Sequence, residues 1–144
     1  MLGGMTTMET ALSGALRERG QRVTPQRLVI ARVLEEMRRH VTVEAVYGEV
    51  GRRMPGVSLP TVYATLELLE DLGLVHRVAT EGGAVVFDPR TDAHHHMMCR
   101  RCGAIQDVEA EVQAGALLAA AREAGFAPDE ARVVIRGLCA ACAA

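Results

Sequence analysis

All four cysteines of this 144-residue chain lie in two C-x-x-C pairs, Cys99–Cys102 and Cys139–Cys142. Each C-x-x-C turn brings two sulfurs to the same side of a metal ion, so two pairs supply the four thiolates of a closed, tetrahedral zinc site. The pairs are far apart in the sequence, so zinc held by both would close a long loop and fix the end of the chain against its own sheet. The cysteine pattern therefore predicts a structural zinc site.

Two other uses of paired cysteines are less favoured. A single pair can be a redox dithiol, but two pairs with no cysteine left over favour metal binding. A secreted disulfide framework is disfavoured because the sequence shows no signal peptide, and 144 residues can build a core without cross-links. The sequence has no apolar run long enough to span a membrane, and its net charge is −2. We expect a cytoplasmic protein without membrane association.

Three consecutive histidines, His94 to His96, precede the first cysteine pair. They cannot join a site whose four positions are filled, so they indicate a second, more open metal site with nitrogen and oxygen ligands. Alternate side chains of a strand share a face, so His94 and His96 point to one side and His95 to the other. We expect His95 to be an exposed side chain outside this site.

The positions of helix caps and apolar residues predict an α+β protein with two domains. After a disordered start at residues 1–8, the first half is predicted to contain helices at 9–19, 25–38, 43–54 and 59–72, then strands at 74–79 and 84–88 joined by a turn at 80–83. This order is typical of a winged helix-turn-helix. The second half is predicted to contain strands at 94–99, 104–108 and 131–136 and a helix at 112–124. The expected boundaries are a winged-helix domain at 1–88, a hinge at 89–91 and a small α/β domain at 92–144.

The predicted helix at 59–72 would enter the major groove of DNA. Its apolar residues gather on one side, which is expected to pack into the core; they are Leu59, Val62, Leu66, Leu69 and Leu72. Tyr63 falls on the opposite side, near the helix N-terminus, where backbone N–H groups favour a phosphate. We predict that Tyr63 contacts a base, with its ring against a thymine methyl group. The alternative is that Tyr63 packs on a neighbouring helix.

Three segments carry a resemblance to a known family. They are Arg22–Arg27 (RVTPQR), Ser58–Leu66 (SLPTVYATL) and the pattern His94-x-His96-x-x-Cys99-x-x-Cys102-Gly103. In this order and spacing, the sequence from about residue 12 to 142 resembles the ferric uptake regulator family. The resemblance implies a homodimeric, metal-dependent transcriptional repressor rather than an enzyme. Its winged helix would bind a palindromic, A·T-rich operator in double-stranded DNA, and its C-terminal domain would form the dimer.

The resemblance also implies two metal sites. Structural zinc would be held by Cys99, Cys102, Cys139 and Cys142. A regulatory Fe(II) or Mn(II) ion would be held by His40, Asp88, His94, His96 and Asp107. Three imidazoles and two carboxylates suit Fe(II) or Mn(II), whereas thiolates select zinc.

Aspartate at both carboxylate positions, Asp88 and Asp107, is similar to the peroxide-responsive branch of the family. Metal-uptake regulators tend to carry glutamate at one or both positions. The resemblance therefore implies that peroxide oxidises a histidine ligand at Fe(II), which releases the metal and the DNA. The alternative within the family is an iron- or manganese-uptake regulator without peroxide chemistry. Two alternatives come from other classes. A metalloenzyme would leave the helix-turn-helix unexplained, and a zinc-stabilised interaction module predicts no metal-dependent DNA affinity.

The candidate DNA contacts are Arg22, Thr61 and Tyr63. Arg22 is a candidate for an A·T-rich minor groove. Ala64 departs from the family pattern, which often has arginine or asparagine directly after the tyrosine. We therefore expect one groove contact to be missing and the operator to differ from the family norm.

Overall fold

The computed structural model describes residues 4–78, 80 and 84–144, which divide after Thr91 into two compact units. Each unit contains helices and a three-stranded sheet, so the predicted α+β class is confirmed. The first unit carries the helices and wing strands of a winged helix-turn-helix. The second unit carries the four-cysteine cluster.

Four helices build the first unit, and each begins at a hydroxyl side chain that accepts a hydrogen bond from a backbone N–H three residues later. The capping residues are Thr6, Thr24, Thr42 and Ser58. The helices are α1 (Thr7–Glu18), α2 (Pro25–Met37), α3 (Val43–Arg53) and α4 (Leu59–Asp71). All four agree with the predicted helices to within two residues at each end.

The sheet of the first unit has the strand order β1-β3-β2. Its strands are β1 (Val41–Thr42), β2 (His76–Val78) and β3 (Val86–Asp88). Both pairings are antiparallel, with Val41 opposite Phe87 and Arg77 also opposite Phe87. The pairing of β2 with β3 confirms the predicted hairpin, although its turn residues 81–83 lie outside the described part of the chain.

The predicted apolar face of α4 packs into the core of the first unit. Val62, Leu66 and Leu69 are fully buried, and Leu59 and Leu72 are partly buried against the same cluster. The core of this unit also includes Leu12, Leu16, Ile30, Leu34, Val46, Val50 and Phe87. This packing fixes which side of α4 faces solvent.

The second unit has the strand order β5-β4-β6. Its elements are β4 (His95–Cys99), β5 (Ile105–Val108), α5 (Gly115–Glu123), β6 (Val134–Gly137) and α6 (Ala140–Ala143). Strand β4 pairs antiparallel with β5 and parallel with β6. Helix α5 buries none of its residues, and large apolar side chains such as Leu117 and Phe126 are more than half exposed.

The structure differs from the sequence-based expectations in several element bounds. Strand β6, expected at 131–136, spans Val134–Gly137. Helix α1 begins at Thr7, inside the segment 1–8 that was expected to be disordered, because Thr6 and Glu9 form a capping box and Met8 is buried. Strand β1 and helix α6 were not predicted, since two and four residues are too short to show a hydrophobic period. Helix α5 begins at Gly115 rather than at residue 112.

Candidate metal centres and DNA-binding surface

The four cysteines meet at one end of the sheet in the second unit. Cys99 ends β4, and the parallel pairing of β4 with β6 places it opposite Gly137, two residues before Cys139. Gly103 has φ +75°, which closes the turn that returns Cys102 towards Cys99. The four sulfurs lie within 4.8 Å of one another. The guanidinium of Arg101 donates to the carbonyl of Cys142 at 2.7 Å and joins the two cysteine turns.

The sulfur geometry fits a tetrahedral zinc ion. Zinc–sulfur bonds of about 2.3 Å at tetrahedral angles put neighbouring sulfurs about 3.8 Å apart. The Sγ atoms of Cys102 and Cys139 are 3.8 Å apart. The four-thiolate donor set is also the one that selects zinc over harder metals. The residues present therefore suit a closed structural zinc site.

The four thiols differ in acidity. Hydrogen bonds from the backbone of Cys102, Cys139 and Arg101 stabilise the Cys99 thiolate and lower the pKa of this thiol to about 5. Hydrogen bonding to the Cys139 sulfur and burial raise the pKa of Cys142 to about 12. The Cys99 thiol therefore gives up its proton more readily than an ordinary thiol, and the Cys142 thiol less readily. Zinc binding would require all four sulfurs to be deprotonated.

A second group of donors lies in the second unit, on β5, on β4 and at the residue directly before β4. His94 and His96 are both 3% exposed, and their Nε2 atoms are 3.0 Å apart. The antiparallel register pairs His96 with Asp107, whose Oδ1 lies 3.6 Å from Nε2 of His94 and 3.8 Å from Nε2 of His96. Two imidazole nitrogens and a carboxylate oxygen thus converge on one point.

The tautomer of His94 suits metal binding. Its Nδ1 lies 2.7 Å from the carbonyl oxygen of Asp92, so Nδ1 carries the proton that is donated to this acceptor. In the neutral ring the lone pair is then on Nε2, which faces His96. Such a backbone hydrogen bond is the usual way in which a ligand histidine is oriented. This leaves the Nε2 lone pair of His94 available to a metal ion, 3.0 Å from Nε2 of His96.

His95 is separated from this group, as the strand alternation predicts. However, it is not the exposed side chain that was expected. It is half-buried, and its Nδ1 accepts a hydrogen bond from the backbone N–H of Val133 at 3.1 Å. The ring therefore helps to join the segment before β6 to β4. No sequence pattern indicated this bond, because its two partners are distant in the chain.

A third group of donors lies in the first unit. Arg38, directly after helix α2, is in the left-handed conformation with φ 47°, and the chain turns there towards β1. Because Val41 pairs with Phe87, the residues just outside this pair, His40 and Asp88, lie side by side. Nε2 of His40 is 3.3 Å from Oδ2 of Asp88, and both side chains are largely buried. This arrangement offers one imidazole and one carboxylate from the same edge of the sheet.

The predicted DNA contacts divide over two parts of the first unit's surface. Arg22 and Thr61 line one open groove of about 670 Å³ between the start of α2 and the start of α4. Its other lining residues are Gln21, Thr24, Gln26, Arg27, Pro60, Ala64 and Thr65. Tyr63 is 36% exposed on α4. The Thr61 hydroxyl is hydrogen-bonded to the capping hydroxyl of Ser58 at 2.9 Å, so part of its bonding capacity serves the helix start.

Sequence reasoning did not single out Gln26 and Arg27 as groove residues. Both lie within the RVTPQR segment, which was the available signal. The guanidinium of Arg27 donates to the backbone carbonyl of Arg22 at 2.7 Å and shapes the segment that leads into α2. The groove thus combines two arginines with two helix N-termini, which favours an anionic partner.

Comparison with known proteins decides the family. The model of the family described as "Ferric uptake regulator family" matches residues 18–136, most of the chain. The chain belongs to the ferric uptake regulator family. Members of this family are metal-responsive transcriptional regulators rather than enzymes.

Curated relatives include both metal-uptake and peroxide-responsive regulators. Ferric uptake regulation protein 1 of Mycolicibacterium fortuitum is 39% identical over 85% of this chain and 76% of its own length. Transcriptional regulator FurA of Mycobacterium tuberculosis is 36% identical over 88% of this chain and 86% of its own length. Peroxide-responsive repressor PerR of Staphylococcus epidermidis is 34% identical over 65% of this chain and 62% of its own length.

Solved structures of this family share the fold. The ferric uptake regulator of Vibrio cholerae is 28% identical, with a TM-score of 0.70 over 89% of this chain and 99% of that protein. A zinc uptake regulator solved with zinc and DNA is 28% identical, with a TM-score of 0.66 over 96% of each chain. An N-terminal winged-helix domain followed by a dimerisation domain is the architecture of this family. Among the described residues, no helix is long and apolar enough to cross a membrane.

Proposed function

We propose that this protein is a metal-dependent repressor that senses peroxide through oxidation of a histidine ligand. Its regulatory ion, Fe(II) or Mn(II), would be held by five residues from the two units. The first unit would supply His40 and Asp88, and the second would supply His94, His96 and Asp107. The observation that carries the proposal is the convergence of His94, His96 and Asp107 in the second unit, together with the close contact between His40 and Asp88 in the first.

The number and type of donors support a shared site. Fe(II) and Mn(II) prefer five or six nitrogen and oxygen ligands, and neither unit alone offers that many in these groups. An ion that takes ligands from both units would favour one arrangement of the DNA-binding unit over others. A ligand shifts such an equilibrium only through its differential affinity for the two states. Metal binding and operator binding would then be coupled through the hinge at residues 89–91.

Zinc would have a different role in this protein. Its proposed ligands, the four cysteines, all belong to the second unit, and the site leaves no open position for a sensing reaction. Bound zinc would stabilise the end of the chain against β4 and would stay in place during regulation. The regulatory ion would exchange, because its ligands are harder and more weakly binding donors.

Homodimer formation would bring two winged helices to a palindromic, A·T-rich operator. The exposed apolar side chains of the second unit, which include Leu117 at 63% and Phe126 at 69% exposure, support this part of the proposal. A twofold dimer would place its two recognition helices on successive major grooves of a symmetric DNA site. Arg22, Thr61 and Tyr63 are the proposed contacts of each copy.

The peroxide chemistry rests on the two aspartate ligands. Bound Fe(II) would supply the reducing power that activates peroxide. One oxygen of the peroxide would then be transferred to a ring carbon of His40 or His94, and the other would leave as water. An oxidised imidazole would bind the metal more weakly, so the regulatory ion would dissociate. Without the ion, the protein would release its operator.

A metal-uptake regulator without peroxide chemistry is the second candidate. It is favoured by the length of the similarity, which covers 85% of the chain for the ferric uptake regulation protein of Mycolicibacterium fortuitum but 65% for the staphylococcal peroxide repressor. The two functions share the same donors, fold and DNA surface. They differ in what peroxide does to the Fe(II)-loaded protein.

The test compares metals in one DNA-binding assay. Zinc-containing protein is mixed with a palindromic A·T-rich duplex and with Fe(II), Mn(II) or neither, and each sample is then treated with peroxide. We expect both metals to support binding and peroxide to release DNA only in the Fe(II) sample, with one added oxygen on the peptide of His40 or His94 by mass spectrometry. Intact histidines and bound DNA after peroxide would favour the uptake regulator. Metal-independent DNA affinity would contradict both candidates.

A further inference from the structure

Helix α4, the proposed recognition helix, carries three acidic residues and no basic residue. Its sequence LPTVYATLELLED contains Glu67, Glu70 and Asp71 and neither lysine nor arginine. A helix that enters the major groove approaches phosphates on both sides, and like charges brought together there oppose binding. The helix therefore needs positive charge from elsewhere in the protein.

Arginines from two other elements supply that charge. Arg77 on strand β2 places Nη2 3.0 Å from Oε2 of Glu70 and 3.9 Å from Oε1 of Glu67. Arg19, at the end of helix α1, places Nη1 2.6 Å from Oδ2 of Asp71. Each acidic residue of α4 thus lies beside an arginine from outside the helix.

Arg77 is also held in position by packing. Its guanidinium lies 5.3 Å from the centre of the Phe87 ring, on the strand next to β2. Its Nε donates to Oε2 of Glu70 at 3.1 Å. The guanidinium is therefore oriented by a ring on one side and by carboxylates on the other. One cation serves two carboxylates that lie one turn apart on α4.

We propose that Arg77 is a positioning residue for operator binding, which acts by neutralising Glu67 and Glu70 on the recognition helix. Arg19 does the same for Asp71. The helix would then read bases with the uncharged side chains of its first turns, such as Tyr63 and Ala64. The inference rests on the proposed DNA-binding function, because it assumes that α4 enters the groove.

The proposal predicts a rescue that a direct phosphate contact does not. Arg77→Gln leaves two carboxylates uncompensated beside the DNA, and we expect operator affinity to fall about tenfold at low salt. The loss should shrink as salt is raised, because salt screens exposed charges. The triple variant Arg77→Gln, Glu67→Gln, Glu70→Gln lacks both the arginine and the acids. It should bind within about threefold of the parent protein.

Two further variants serve as controls. Glu67→Gln with Glu70→Gln keeps Arg77 and should bind at least as tightly as the parent. Arg52→Gln removes an exposed arginine whose partner, Glu49, lies on helix α3, and it should leave affinity nearly unchanged. All variants are loaded with zinc and Mn(II), and their metal content is measured, because β2 pairs with the strand that carries Asp88.

The outcomes are distinct. Unchanged affinity of Arg77→Gln overturns the proposal, and so does a triple variant that stays as weak as Arg77→Gln, since Arg77 would then bind phosphate directly. Weaker binding by the double glutamine variant also overturns it. If the parent protein binds no DNA with any metal, the proposed DNA-binding function itself is wrong. This outcome is distinguishable from a failure of the Arg77 proposal, in which the parent protein still binds DNA.

Discussion

The Nε2 atoms of His94 and His96 lie 3.0 Å apart, and their rings are inclined at 72°. This closeness follows from their positions on alternate residues at the start of one strand, which also directs His95 away from them. Asp107 on the neighbouring strand faces the same point. These side chains are three of the five proposed ligands of the regulatory site.

Removal of one of these rings should abolish metal regulation. We expect His96→Ala to lower the affinity for Mn(II) by at least about a hundredfold, since even the loss of a group behind a ligand costs 10–100-fold. Metal-dependent DNA binding should disappear with it. His95→Ala is the matched control, because it removes a neighbouring ring that bonds to Val133 instead. Isothermal titration with Mn(II) measures both, and equal affinities for the two variants would exclude His96 as a ligand.

Zinc content should depend on each of the four cysteines. Purified protein should hold about one zinc per chain that resists mild chelation. Cys139→Ser should lower the zinc content, the thermal midpoint and the stability of the dimer, whereas Ala140→Ser next to it should change none of them. Elemental analysis and thermal melts decide the matter. A Cys139→Ser protein with full zinc and a parental melting curve would disprove the four-cysteine site.

Tyr63 should contribute to operator affinity through its ring. We expect Tyr63→Ala to weaken operator binding by about 1–3 kcal/mol, as for a lost base contact. Tyr63→Phe keeps the ring against the thymine methyl group and should retain most of the affinity. Folding and regulatory-metal binding should change little in either variant. If Tyr63→Ala binds the operator like the parent protein, Tyr63 is a packing residue.

The length of the side chain at position 107 should separate the two candidate functions. An aspartate holds its carboxylate further from the ion than a glutamate would from the same backbone position, which leaves room for peroxide. Asp107→Glu should therefore keep metal-dependent DNA binding but lose most of the histidine oxidation with Fe(II). Peptide mass spectrometry of Fe(II) samples, with Mn(II) samples as the control, measures this. Equal histidine oxidation in the parent protein and the variant would show that the length of the side chain at position 107 does not control the peroxide reaction.

Glu9 should make the stability of the first unit depend on pH. Burial by itself raises the pKa of Glu9, but hydrogen bonds from the Thr6 backbone and from Arg32 outweigh it, so the pKa lies below its ordinary value. A group with a lowered folded-state pKa stabilises the fold above its unfolded pKa and loses that contribution as pH falls through the folded value.

We therefore expect Glu9→Gln to reduce the free energy of unfolding by about 1 kcal/mol at neutral pH, because the ion pair with Arg32 is lost and the hydrogen bond from the Thr6 backbone no longer ends on a charged oxygen. The difference from the parent should close as the pH falls below the ordinary range of glutamate. Glu18→Gln, at the exposed end of the same helix, is the control. Urea unfolding at several pH values measures the effect, and a difference that is constant with pH would contradict the assignment.

Much of the fold was predictable because its signals are local. Hydroxyl caps at Thr24, Thr42 and Ser58 lie directly before their helices, and the apolar spacing of α4 identified its buried side. The strand alternation correctly separated His95 from His94 and His96. The cysteine spacing predicted a cluster that the structure does bring together. Each of these signals lies within one or two elements.

Other features depend on which strands and helices lie side by side. Local sequence patterns do not show which distant elements pair. Motif resemblance alone selected His40, and the pairing of β1 with β3 supplies the physical reason for its position beside Asp88. The bond from Val133 to His95 depends on the parallel register of β4 and β6.

The charges around α4, the proposed recognition helix, show most clearly what the sequence determines and what only the tertiary structure decides. By itself the sequence determined that α4 is amphipathic, capped at Ser58 and acidic on its exposed side. Only the tertiary structure decided that Arg77 and Arg19 lie against those acids. Electrostatic interactions act between charges that are close in space, and a chain of linked elements can bring residues together from any distance in the sequence. Composition fixes how many charges there are, and packing fixes which of them meet.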